Sequence, residues 1–369
     1  MIQNLTLGFQ EEVTYRLRSL YNRSGYSQYR MSKFEEYDLY ARNKDFLISD
    51  RVITFMDTSG RLMALKPDVT LSIVKNTRDD SPGVQKLYYH ENVYRVAPGA
   101  HSFREIMQVG LECLGDIDDC CLWEVLTLAA ESLLEVSEES ILDVSHLDLL
   151  SDLLDGVGIP GGKKDDALRY VAEKNIHDLT ALCRKCNVSE ERMEILRRAV
   201  GCSGDPETVL PELKGLLAGI TDTAPVDTLA EIMAALPEEV RRMIRFDFSA
   251  VDDIHYYNGI VFKGYIHGLP RRVLSGGQYD RLMTKMGRTS GAVGFAVYMD
   301  ALGRLDTRQR EYDADDLLLY DGDTTPAELS AWVQELKKED RSVLVQRQIP
   351  ENLRFRRILK LINGEVREV

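Results

Sequence analysis

Along residues 8–24, the apolar positions Phe9, Val13, Leu17, Leu20 and Tyr21 recur at intervals of three and four. That spacing gathers them on one stripe of a helix and turns the polar positions outward. The pattern then shortens. "RVITFMD" and "RLMALKP" are brief β-type runs separated by Thr58, Ser59 and Gly60, which predicts a hairpin. "PDVTLSIVKNTR" returns to a helical period, with Asp68 or Thr70 available as its cap. "VQKLYYHENVYRV" and "FREIMQVGLECLG" predict two long antiparallel strands joined through residues 97–101, with Arg95 and Arg104 near the open tip. An amphipathic helix follows over 122–136, and "ILDVSHLDLLSDLL" reads as a strand running into a helix.

Around "GIPGGKKDD" the texture changes, and Gly and Pro mark a boundary. From about 158 to 245 the period is helical, which predicts a helical insertion. Strand patterns return in "IRFDFSAVDDIHYYNGIVFKGYIHG". Gly276-Gly277 allows either a tight turn or a close backbone approach. "SGAVGFAVYMDALGRL" predicts a strand entering a helix, with Gly291 and Gly294 at its close-packed end. A last unit, 311–369, contains a strand ("DLLLYDG"), a capping box at Thr325 with Pro326 behind it, a second strand ("RSVLVQ") and a hairpin around Asn363-Gly364. The expected organisation is an α+β core over 1–310, an antiparallel sheet flanked by helices, followed by a small C-terminal α/β domain over 311–369.

Composition narrows the function classes. Of 369 residues, 44% are hydrophobic and 29% charged, as in an ordinary soluble globular chain. No apolar run reaches the length of a membrane span, and the N-terminal stretch lacks the pattern of a signal peptide. The expectation is a cytoplasmic protein with no membrane partner. The formal net charge is −14 and no long Lys/Arg run is present, which disfavours general affinity for nucleic acid. Among six cysteines only Cys183 and Cys186 have the spacing of a zinc half-site, and no second pair follows. They are expected to be ordinary thiols with no metal, and Cys120 and Cys121 are expected to be buried and unbonded.

The motifs together resemble the class II aminoacyl-tRNA synthetase fold, specifically the histidyl branch, over about residues 5–310. "GYSQYRMSKFE" stands at the first family motif, "YRVAPGAHSFREIMQVGLE" at the second and "AVGFAVYMDAL" at the third. "LKPDVT", "HYYNGIVF" and "SGGQYD" resemble the histidine-specific peptides. The resemblance implies a histidine pocket. Asp68 and Thr70, assisted by Gln108, match the positions holding the α-amino group, and Glu112 and Tyr257 match those bonding the imidazole nitrogens. Arg95 is the candidate for the ligand carboxylate. A pocket with matched polar partners rejects apolar analogues, because its own groups would be left unpaired.

The nucleotide site departs from the family. The third motif's arginine is replaced by Ala301, with Asp300 before it, and Asp252-Asp253-Ile254-His255 stands where the branch has another arginine. The second motif's acidic partner is Ala97, and the first motif's proline is Ser32. Arg104 remains beside Arg95. Each lost charged hydrogen bond is worth about 1.5–3 kcal/mol, so triphosphate binding should be weakened severely. These departures resemble the regulatory subunits of ATP phosphoribosyltransferase, a histidyl-synthetase paralogue. That resemblance implies no catalytic residues and no cofactor. It also implies a dimer joined to short-form catalytic subunits in a hetero-octamer, no tRNA, and feedback inhibition by L-histidine. A diverged amino-acid-activating ligase and a scaffold with a vestigial pocket are the alternatives. The role of 311–369 is left open.

Overall fold

In a computed structural model the described residues are 7–47, 52–78, 83–96, 102–251, 256–306, 311–338, 341–362 and 364–369. The helices among them are α1 (Phe9–Arg23), α2 (Tyr37–Arg42), α3 (Thr70–Asn76), α4 (Asp119–Leu134), α5 (Leu147–Val157), α6 (Gly161–Ala172), α7 (Ile176–Lys185), α8 (Glu190–Val200), α9 (Pro206–Leu217), α10 (Ala224–Ala235), α11 (Glu238–Met243), α12 (Asp280–Lys285) and α13 (Pro326–Lys337). The strands are β1 (Ser27–Gln28), β2 (Phe34–Glu36), β3 (Thr54–Met56), β4 (Leu62–Leu65), β5 (Val84–Val96), β6 (Phe103–Gly115), β7 (Ser140–His146), β8 (Ser203–Gly204), β9 (Ile244–Asp247), β10 (Asn258–Ile266), β11 (Leu274–Gln278), β12 (Gly291–Tyr298), β13 (Ala314–Leu319), β14 (Val343–Gln346), β15 (Phe355–Ile362) and β16 (Glu365–Glu368).

The chain divides into two compact units, residues 1–305 and 306–369. The larger is built on a nine-stranded sheet of order β1-β5-β6-β12-β11-β10-β7-β9-β8. Its pairs are antiparallel except β1–β5 and β7–β9, which are parallel. The alternation of β6 explains its central place. Val109, Leu111 and Cys113 enter the main apolar cluster with α1 and α4, while Leu114 joins a second cluster with Val69, Leu71, Tyr89 and Leu282. A strand covered on both faces needs apolar or small residues at nearly every position. Residues 108–114 are buried throughout, so the two polar members, Gln108 and Glu112, are exceptions that call for a chemical reason.

Helices α6 to α10 contribute Leu168, Leu182, Leu196, Leu213 and Leu229 to the same main cluster as the sheet. The helical stretch therefore shares the sheet's core. A three-stranded sheet, β2-β4-β3, closes with the turn predicted at Asp57, whose Oδ1 accepts from the backbone N–H of Ser59 and Arg61. Of the two candidate caps for α3, Asp68 is used, its Oδ1 accepting from Leu71 N at 2.9 Å.

Of the two alternatives for Gly276-Gly277, the close backbone approach holds: both lie inside β11, and a Cβ on Gly277 would meet Ile260 O at 2.7 Å. Two expectations change. The segment after β12 is a 3₁₀ turn, Met299–Leu305. Cys120 is exposed and Cys121 half-buried, because they lie in the exposed first turn of α4, ahead of the buried run 125–130.

In the smaller unit the sheet order is β14-β13-β15-β16. The capping box at Thr325 forms, and Leu329, Trp332, Val333 and Leu336 of α13 lie on Leu318, Leu359 and Leu361. Gly364 has φ 78°, as the predicted turn requires; Asn363 lies outside the described residues. Asp316 is fully buried and accepts from Arg357 Nε at 2.7 Å and Nη2 at 2.8 Å. Asp316→Ala removes both of those bonds and is expected to lower this unit's stability by about 2 kcal/mol in urea titration, since a hydrogen bond to a charged group is worth about 1.5–3 kcal/mol.

Candidate functional site

The polar exceptions on β6 open into a cavity of about 170 Å³. Its floor is the sheet. In the ladder, Glu112 stands opposite Gly294, Gly110 opposite Ala296, and Gln108 opposite Tyr298, so small residues leave space above the strands. A Cβ on Gly294 would lie 1.9 Å from Glu112 Oε2. The walls are phenols: Tyr89 from β5, Tyr256 and Tyr257 before β10, Tyr279 after β11 and Tyr298 at the end of β12. Asp45, Phe46 and Leu47 form one side, and the Phe46 ring meets Tyr256 edge-on.

All six residues expected to bind the ligand, Asp68, Thr70, Arg95, Gln108, Glu112 and Tyr257, line this one cavity. They come from four places in the chain. Asp68 and Thr70 are delivered by the entry of α3, Arg95 by the end of β5, Gln108 and Glu112 by β6, and Tyr257 by the segment before β10.

Glu112 is the chemical centre. It is only 2% exposed. Its Oε1 accepts from the Thr70 hydroxyl at 2.7 Å and its Oε2 from the Tyr279 hydroxyl at 2.6 Å. Burial pushes its carboxyl up to about 8, against the lowering effect of those two hydrogen bonds. Asp68 is also raised by burial, opposed by its backbone hydrogen bonds and by the Arg95 charge. Arg95 Nε donates to Pro67 O at 3.1 Å, which holds the guanidinium beside the Asp68 loop. Tyr89, Tyr256 and Tyr279 are all pushed well above the ordinary phenol value by burial, so their hydroxyls stay protonated. The cavity thus offers two buried carboxyl groups, a guanidinium, an amide and neutral phenols. That set suits a small zwitterion with a polar ring.

Thr70, expected at the α-amino group, here donates to Glu112. Tyr279 was not singled out by sequence, although it lies in the quoted "SGGQYD" peptide. Its contact with Glu112 is made across 167 positions of sequence, which local pattern does not reveal. Arg104 pairs opposite Arg95 on β6 but is exposed and does not line the cavity. Ala301 is 6% exposed and belongs to the main apolar cluster, while Asp300 pairs with Arg271 at 3.0 Å. Ala97 and Asp252 lie outside the described residues.

A family model described as histidyl-tRNA synthetase matches residues 7–302. The chain belongs to the histidyl-tRNA synthetase family. Within the family it is 26% identical over 287 residues to an ATP phosphoribosyltransferase regulatory subunit from Oceanobacillus iheyensis, covering 77% of this chain and 70% of that one. It is 28% identical over 293 residues to a histidine–tRNA ligase from Methanocaldococcus jannaschii, covering 78% and 69%. The fold is class II synthetase-like. A Bacillus halodurans ATP phosphoribosyltransferase regulatory subunit/histidyl-tRNA synthetase superposes with TM-score 0.78 at 23% identity, over 91% of this chain and 88% of that one. A chain of the ATP phosphoribosyl transferase (HisG:HisZ) complex from Thermotoga maritima superposes with TM-score 0.63 at 21% identity, over 80% and 98%. These two likenesses are of fold.

Proposed function

We propose that this chain is a non-catalytic regulatory subunit of ATP phosphoribosyltransferase that senses L-histidine. One contrast carries the reading. The six residues expected to bind the amino acid share one cavity, whereas the position of the family's nucleotide arginine is Ala301, a methyl group turned into the core. The similarity to a regulatory subunit from Oceanobacillus iheyensis points the same way.

In this reading Asp68 accepts from the ligand ammonium and Arg95 holds its carboxylate. Glu112 accepts from one ring nitrogen and Tyr257 contacts the other. The chain forms a dimer and joins the short-form catalytic subunit in a hetero-octamer, which it activates. It carries histidine feedback without binding tRNA. Linkage makes the coupling reciprocal, so ligands of the catalytic subunit that favour the active state weaken histidine binding by the same factor.

The test is co-purification with a short-form phosphoribosyltransferase and measurement of its rate. The rate is expected to require this chain and to fall when L-histidine is added, with Glu112→Ala relieving that inhibition at least tenfold in histidine concentration. A rate indifferent to both the chain and histidine overturns the proposal. The 28% identity to a histidine–tRNA ligase favours a second reading, a diverged amino-acid-activating ligase. Pyrophosphate exchange with the twenty amino acids decides between them.

A further inference from the structure

Four charged residues line the cavity among those described: Asp45, Asp68, Arg95 and Glu112. Asp45 sits at the rim, its side chain 72% exposed and paired with Lys285 at 2.8 Å. Inside, the guanidinium of Arg95 acts on Asp68. The charge acting on Glu112 is that of Asp68, of like sign. The other titratable groups facing Glu112 are phenols: Tyr89 from β5, Tyr256 and Tyr257 from the segment before β10, Tyr279 from the start of α12 and Tyr298 from β12. None of these supplies a positive charge.

We propose that the pocket takes its ligand's ring as an imidazolium cation paired with Glu112, and not as neutral imidazole. This deepens the histidine reading above and rests on it. Both oxygens of Glu112 already accept hydroxyl hydrogens, from Thr70 and from Tyr279. That arrangement suits the carboxylate anion; a protonated Glu112 has to displace one of those donors or turn its own hydrogen elsewhere. A ring N–H⁺ supplied by the ligand provides the missing counter-charge and leaves both hydroxyl bonds in place. The inner charges agree. With an ammonium, a carboxylate and a protonated ring facing ionised Asp68, Arg95 and Glu112, ligand and site sum to zero; moving the ring proton onto Glu112 keeps that sum but sets the acid's own hydrogen against the hydroxyl donors of Thr70 and Tyr279.

The bound pair holds one proton between ring and carboxylate. The free ring titrates near 6.5 and Glu112 near 8. Affinity is therefore expected to be highest between those values. It falls below them because the free pair carries an extra proton, and above them because it lacks one.

The deciding experiment uses the full chain and two ligands, L-histidine and 2-fluoro-L-histidine. The fluorine leaves the ring nearly the same size and lowers its basicity so far that no imidazolium forms at neutral pH. Calorimetry at pH 7 is expected to show the fluorinated ligand binding at least about tenfold more weakly, the difference between a charge-assisted and a neutral hydrogen bond. In Glu112→Gln that ratio is expected to shrink towards one. The ¹⁵N spectrum of bound, ring-labelled L-histidine is expected to show both nitrogens protonated. Equal binding of the two ligands, or a bound ring with one unprotonated nitrogen, overturns the inference while leaving histidine binding intact. Absence of L-histidine binding overturns the reading of the site and the inference with it.

Discussion

Glu112→Gln is expected to make the ligand-free protein more stable at pH 8 while impairing histidine binding. The carboxyl titrates near 4.5 when unfolded and near 8 in the fold, where burial disfavours its charge. Folding therefore takes up a proton between those values. The contribution is fully present below pH 4.5, is lost progressively as pH rises and is gone above 8, at about 1.4 kcal/mol per unit. Glutamine has no charge to suppress and keeps an oxygen for one of the two hydroxyl donors. After allowing for a weaker hydrogen bond, the variant should exceed the parent by roughly 2–3 kcal/mol at pH 8, with the difference vanishing near pH 6 and the parent about 1 kcal/mol the more stable at pH 5. Urea unfolding at the three pH values checks this. A parent as stable as the variant at pH 8 would show that Glu112 is not a strained carboxylate. On the proposed reading, the retained cost is what a site that pairs with an imidazolium requires.

Gly294→Ala is expected to abolish histidine binding and destabilise the larger unit. The added Cβ would stand 1.9 Å from Glu112 Oε2 and 2.5 Å from Leu111 O. The first contact forces Glu112 out of its bonds to Thr70 and Tyr279; the second presses on the backbone of the neighbouring strand, which the sheet ladder holds. Overpacking of this kind costs about 1–3 kcal/mol, and loss of the Glu112 geometry should weaken the ligand at least a hundredfold. Gly215→Ala is the control. Nothing lies within 4 Å of a Cβ there, on helix α9, and the change should stabilise by about 0.5–1 kcal/mol. Thermal unfolding and calorimetry on both variants separate a local clash from a general intolerance of alanine.

Much of the site was legible from residue order. Asp68, Thr70, Arg95, Gln108, Glu112 and Tyr257 were placed together through their family motifs, and they line one cavity. "FREIMQVGLECLG" read as a strand, and Gln108 and Glu112 on it were assigned to the pocket through the family motif. Arg104, assigned to the nucleotide site and not to the pocket, is exposed and does not line the cavity. Tyr279 shows the limit, since its role depends on an approach to Glu112 that no local spacing encodes.

The sequence alone determined the faces of helices and strands, the capping boxes and turns, and the chemical types gathered at the pocket. These follow from periodicity and from backbone preferences acting over a few residues. Which residues meet was settled by tertiary packing. Sheet register puts Gly294 opposite Glu112, buries Gly276-Gly277 within β11, and turns Ala301 into the core. Neighbours across a sheet are set by the joint packing of distant strands, and a carboxylate's charge depends on that enclosure. Glu112 is written in the sequence as an acid; the fold makes it one that holds its proton to about pH 8.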